Sequence, residues 1–368
     1  MSFLRRLAFF LAPLLLSCSH DSDDDVPTRP FAMGFTPFPF DVTPEAVTYT
    51  YGRIAAEGDL IAHHFDDGVP WPEALAGDPY HANVQAEWQY RRDNIPPGHK
   101  VYLSVTPLNL ARDGLAPYKG SSGGMPLPTP WDGYAFNHAD VKAAFLVYCR
   151  SAIDYFEPDW FCMGIEVNLL MQNAPAKWAA YLELHQYVFA ALKADYPDLP
   201  LMVSLTGMDL VEGWTGADHA SQVQAMNDVD AYSDCFGLSL HCFISAFLAE
   251  SLPDDLFEAI FGLTSKPVFV CETTYPAEVF TLNGGTLVFN GSPARQDDYL
   301  RRLFAACRSR GVKGIVYFVV RDYDALWEAI GSPDDFNKLW RDTGLYDADG
   351  AARPALARWR AQAALPRR

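Results

Sequence analysis

The stretch Val268-Phe269-Val270-Cys271-Glu272-Thr273-Thr274-Tyr275-Pro276 opens as a short apolar run of β-prone residues and closes on a carboxylate. An apolar run of this length reads as a strand buried on both faces, as in a parallel sheet. A glutamate at the end of such a strand is costly to bury without a partner or a shifted protonation equilibrium, which marks the position as functional. Cys162-Met163-Gly164-Ile165-Glu166-Val167-Asn168 shows the same pattern. If side chains alternate strictly, Glu272 shares its inward face with Val270 and Val268, while Phe269 and Cys271 face outward. By the same count Glu166 shares a face with Gly164 and Cys162.

Working outward from these two, six further β-rich runs appear. In chain order the eight are Phe31 to Phe35, Leu60 to Phe65, Val101 to Val105, Phe161 to Val167, Leu201 to Leu205, Phe236 to His241, Val268 to Glu272 and Gly314 to Val320. Amphipathic segments lie between or after them, the clearest being Val141 to Tyr155, Trp178 to Ala194, Asp298 to Arg310 and Pro354 to Ala364. Strand and helix alternating eight times predict an α/β chain folded as a (β/α)8 TIM barrel, a single domain over residues 31–368 with long βα loops. The largest loops are expected at Ala111 to His138 and Thr273 to Arg295. An open doubly wound sheet is the competing architecture, but the first turn lacks the GxGxxG phosphate loop.

In such a barrel the functional groups gather at the C-terminal ends of the strands, where Glu166 and Glu272 fall. Two glutamates on opposite walls of a barrel mouth fit retaining glycoside hydrolysis, one as proton donor to the leaving oxygen and one as nucleophile. The alternative is that each is half of a buried ion pair with an arginine.

Here the chain resembles the clan A glycoside hydrolases. Glu272-Thr273-Thr274-Tyr275-Pro276 is similar to the nucleophile segment of the family 53 endo-β-1,4-galactanases, and more loosely to that of plant-type β-1,3-glucanases. Thr343 to Gly350, followed by Arg353-Pro354-Ala355-Leu356, resembles the ending common in that clan. The resemblance implies that Glu166 is the acid/base and Glu272 the nucleophile. Two positions depart from the clan pattern: Ile165 stands where an asparagine precedes the acid/base, and strand eight runs on through Phe318-Val319-Val320 where the clan has a tryptophan.

Other candidate substrate-binding residues surround the expected mouth. His63, His64, Asp66 and Asp67 follow strand two; their types could ligate a metal, yet without an HxH pair or ligands spread over several strands they read better as a sugar-hydroxyl site. His241 stands where clan members often place a residue that hydrogen-bonds the nucleophile or the sugar, the alternative being a satisfied core histidine. Asn168 could reach the acid/base, and Arg321 could contact substrate or pair with Asp322. Among loop aromatics, Trp71, Trp131 and Tyr275 are expected as stacking platforms for pyranose faces.

Composition adds boundaries. With 28 basic and 46 acidic residues the formal charge is −18, which argues against nucleic acid as a partner. Arg5 and Arg6 precede an apolar run from Leu7 to Leu16, the order of a secretory signal. Leu15-Leu16-Ser17-Cys18 resembles the lipobox of bacterial lipoproteins, implying a signal peptide over 1–17, lipidation of Cys18 and a flexible tether over 18–30. Ser19 then implies an outer-membrane lipoprotein, periplasmic or surface-facing, touching the membrane through its lipid alone. The remaining six cysteines include several in strand-like runs, where cysteine packs as a small hydrophobe, so mostly free thiols are expected.

The leading expectation is a monomeric retaining glycosidase acting on a poly- or oligosaccharide, with no cofactor and no metal. A non-catalytic carbohydrate-binding lipoprotein on a degenerate barrel is the alternative. A metal-dependent hydrolase built on His63 to Asp67 is a third reading. No GxSxG elbow supports a serine nucleophile.

Overall fold

The computed structural model describes residues 27–332 and 336–368, and within them the chain is a (β/α)8 barrel. Its strands are β1 (Ala32–Phe35), β2 (Leu60–Phe65), β3 (Lys100–Val105), β4 (Trp160–Cys162), β5 (Leu201–Met202 and Ser204–Thr206), β6 (Phe236–Leu240), β7 (Val268–Thr273) and β8 (Gly314–Tyr317). All neighbouring pairs are parallel, and β1 pairs with β8 through Ala32 and Gly314. Val203 interrupts β5, whose first piece pairs with β4 and whose second pairs with β6. Closure there needs a small residue: a Cβ on Gly237 would stand 2.4 Å from the Val203 carbonyl oxygen.

All eight predicted strands are present, and the four clearest helices form as Ala139–Phe156, Trp178–Asp195, Pro293–Arg310 and Pro354–Ala363. Local chemistry sets their ends. Ser292 caps the third of these, Pro293 sits in its first turn where no N–H is required, and Gly311 takes the left-handed conformation that stops it. The long segment after β7 holds an unforeseen antiparallel hairpin, Val279–Leu282 with Leu287–Asn290, turning on Asn283-Gly284-Gly285. That turn chemistry was legible in the sequence.

Strict alternation fails at both glutamates. Phe269 and Cys271 point into the barrel with Tyr102, Cys162 and Met202, and Phe269 stacks on Tyr102 at 4.8 Å. Val268 and Val270 pack outward against the helices. The reason is a bulge: Leu238 opposes Val270 but Ser239 opposes Glu272, so one extra residue lets Cys271 and Glu272 both serve the inner side. Strand β4 likewise stops at Cys162; Cys162 faces inward, but a Cβ on Gly164 would meet Val167, Tyr181 and Val203 on the outer side. Glu166 then sits in a bend at φ 50°.

The N-terminal boundary also differs. Arg29, inside the predicted tether, is buried, pairs with Asp59 at 2.9 Å and bonds through its backbone to Pro366 and Arg368. The expected signal peptide and Cys18 lie outside the described residues. The six described cysteines are free and buried, and no described helix is long and apolar enough to cross a membrane.

Candidate active site

Glu166 and Glu272 meet at the C-terminal mouth. Ser239 on β6, the register partner of Glu272, donates its hydroxyl to Glu166 Oε1 at 2.8 Å. The Glu166 backbone N–H donates to Ser204 Oγ at 2.9 Å, which anchors the bend from the β5 side. Glu166 Oε2 faces Arg112 Nη2 at 3.4 Å. Arg112, absent from the sequence expectations, is 4% exposed, holds φ 51° and gives a second bond to the Asn109 carbonyl at 2.9 Å. The predicted ion-pair alternative is thus realised for Glu166. For Glu272, two histidines stand nearby as basic side chains.

The first is His241, whose Nε2 lies 3.7 Å from Glu272 Oε1 while its Nδ1 accepts from Trp340 Nε1 at 3.2 Å. The second is His64. Its Nε2 lies 3.5 Å from Asp66 Oδ2, and its Nδ1 lies 3.2 Å from Ser104 Oγ. Burial works against a charged imidazole there, but Asp66 and then Glu272 outweigh it and raise His64 to about 9. Burial likewise opposes charge on Asp66, and His64 with Arg112 outweighs it, so Asp66 falls to about 2. Burial raises the Glu272 carboxyl above its ordinary value; His241 and His64 pull it down, and Glu166 and Asp66 push it up.

Several expected contributors stand elsewhere. His63 points outward into the core, 5.2 Å from the Phe156 ring, where burial lowers it to about 3. Asp67 is engaged by Lys119 at 2.7 Å, so the His63 to Asp67 set divides and only His64 and Asp66 face the site. Asn168 is fully buried as a clip: it gives Nδ2 hydrogens to Thr206 at 2.6 Å and Gln222 at 2.7 Å, and accepts from the Thr206 N–H at 2.9 Å. Arg321 lies 3.8 Å over the Phe40 ring rather than at Asp322, which is held by Arg353 at 2.6 Å.

None of the three expected platforms is available for stacking. Trp71 is fully buried, stacks on Trp131 at 5.6 Å and donates to the Ala116 carbonyl. Trp131 is 5% exposed, and Tyr275 lies under its loop against Tyr299 at 5.2 Å. The half-buried aromatics near the strand ends are others: Phe318 after β8, 5.0 Å from Phe38 after β1, and Trp340 beside His241. A signal existed for Phe318, since it directly follows an apolar strand.

As for metal, Asp322, Asp324 and Asp342 bring oxygens within 4.8 Å of one another. Arg353 and Arg341 already take Asp322 and Asp342, the latter at 2.7 Å, so this carboxylate set is committed to arginine.

No protein-family model and no curated protein matches the chain. Solved structures do match in fold. An exo-β-1,4-mannosidase from Opitutaceae bacterium strain TAV5 superposes with TM-score 0.61 at 14% identity over 90% of this chain, which spans 59% of the mannosidase's length. A GH5_18 protein from Bifidobacterium longum subsp. longum, solved with Manβ1-4GlcNAc, gives TM-score 0.60 at 15% identity, covering 92% of this chain and 80% of its own. The GH53 catalytic domain from Ignisphaera aggregans gives 0.54 at 15% identity, covering 84% and 87%. What this chain shares with these glycoside hydrolases is the (β/α)8 barrel.

Proposed function

We propose that the protein is a retaining glycoside hydrolase that cleaves a poly- or oligosaccharide by double displacement. The observation that carries this reading is the pairing of Glu166 and Glu272 at one mouth, with Ser239 beside Glu272 in register and bonded to Glu166. Glu272 attacks the anomeric carbon while Glu166 gives its proton to the leaving oxygen; Glu166 then takes a proton from the water that frees the sugar from Glu272. His64 offsets the charge on Glu272 before attack, His241 faces the same carboxyl through Nε2 at 3.7 Å, and Arg112 with Ser239 fixes the direction of the Glu166 carboxyl. Phe318, Phe38 and Trp340 offer ring faces to the sugar. The likeness of fold to mannosidases and galactanases supports a glycan as substrate.

The test is reducing-end release by the purified protein across plant, algal and bacterial polysaccharides, with Glu272→Gln beside it. Release that vanishes in the variant supports the reading. The Arg112–Glu166 ion pair favours a second reading, a glycan-binding barrel without turnover; equal glycan binding by both proteins with no release would establish it.

Attachment to the outer membrane through a lipid on Cys18 belongs to the same proposal. Metabolic labelling with a radiolabelled fatty acid, lost in Cys18→Ala, is the corresponding measurement.

A further inference from the structure

Beside the candidate site the long loop after β3 leaves an open groove of about 840 Å³, a size typical of ligand sites. Leu110, Met125 and Leu127 line it together with Asp66, Asp67 and Asp132; among the described residues its lining contains no lysine or arginine. Lys119, the partner of Asp67, is 1% exposed and lies beneath the surface. Leu110, by contrast, is 72% exposed. The groove adjoins the site at two points: Asp66 is the partner of His64, and Asn109, on the groove wall, holds Arg112 against Glu166.

We propose that this groove binds the sugar units adjoining the one under attack, and that it accepts uncharged chains and rejects chains bearing carboxylate or sulfate. The inference rests on the glycosidase reading of the site. Apolar side chains cover the CH faces of sugar rings, and carboxylates accept hydrogen bonds from hydroxyls. An anionic chain would find no arginine fork to receive it, and although Asp66 and Asp67 are paired with His64 and Lys119, Asp132 would oppose its charge at close range. The substrate class is therefore a neutral glycan longer than the sugar at the catalytic pair.

Binding of β-1,4-linked mannose and galactose series, from monosaccharide to hexaose, to the full chain carrying Glu272→Gln tests this, alongside turnover by the wild type. In the better-bound series the hexaose should bind at least tenfold tighter than the monosaccharide. Leu110→Ala with Asp132→Ala, both on the surface, should weaken the hexaose at least fivefold and leave the monosaccharide unchanged. A β-1,4-mannuronate hexaose should bind at least tenfold more weakly than mannohexaose. Equal binding of monosaccharide and hexaose, a hexaose indifferent to the double variant, an equally bound mannuronate, or no binding in either series would each overturn the groove assignment. Groove-dependent binding without wild-type turnover would remove hydrolysis and leave the groove; turnover with groove-independent binding would do the reverse.

Discussion

Ser239 Oγ donates to Glu166 Oε1 at 2.8 Å from a backbone position that opposes Glu272 across the β6–β7 ladder. One small hydroxyl thus sets the aim of one carboxyl from the strand that flanks the other. This depends on the bulge at Cys271: in a regularly alternating strand of the same sequence, Glu272 would turn toward the helices and Ser239 would face a different neighbour.

Ser239→Ala should therefore lower kcat more than KM. A hydrogen bond to a charged group contributes about 1.5 to 3 kcal/mol, so turnover should fall about tenfold to a hundredfold. The fold should be untouched, because the alanine side chain fits the same space. Steady-state kinetics with circular dichroism check both halves; an unchanged kcat would remove Ser239 from the positioning role.

Glu272→Gln should raise stability while it removes activity. Burial raises the Glu272 carboxyl, so the folded state holds that proton more tightly than the unfolded chain does. The favourable contribution is present below the ordinary carboxylate value of about 4.3 and is lost as pH rises through the higher folded value. At pH 7 the wild type bears the cost of a poorly solvated carboxylate that the amide avoids. A gain of about 1 kcal/mol would lift Tm by roughly 1 to 2 °C in a barrel of this size. The gap should close below about pH 4, as thermal melts of both proteins across pH would report.

The architecture was legible because it is repeated: eight apolar runs, each long enough for one strand, leave little other than a closed parallel sheet. Both glutamates were legible because a charge ending an apolar strand violates the surrounding pattern. Their orientation was not, since a single bulged residue reverses parity without altering composition. The aromatics misled for a related reason. Trp71 and Trp131 are in the proline-rich loop regions typical of exposed platforms, yet the loop folds back and stacks them on each other at an interplanar angle of 27°. Arg112 reaches Glu166 only through the path of that same loop, which no local spacing encodes.

His64 and Asp66 should act as a pH-dependent brace. The raised histidine contributes stability that is complete below its ordinary value of about 6.5 and lost as pH rises through about 9. The lowered aspartate contributes stability that is complete above its ordinary value of about 3.9 and lost as pH falls through about 2. Both are intact together between about pH 4 and 6.5. Asp66→Asn should lower Tm most in that window, with the difference shrinking toward pH 10. A difference that stays constant from pH 5 to 10 would show that the pair is not coupled to protonation.

Glu166→Ala separates the acid role from general damage to the mouth. A natural sugar leaving group departs as a poor alkoxide unless it is protonated, whereas nitrophenolate leaves without help. If Glu166 supplies the proton, the variant should lose several orders of magnitude on a glycan but far less on a dinitrophenyl glycoside in the glycosylation step. Loss of the base also slows water attack on the glycosyl enzyme. Added azide, a nucleophile with no proton to surrender, should then restore turnover of the aryl substrate. Equal losses on both substrates, with no azide effect, would place Glu166 among the structural partners of Arg112 and would favour the glycan-binding reading of the barrel.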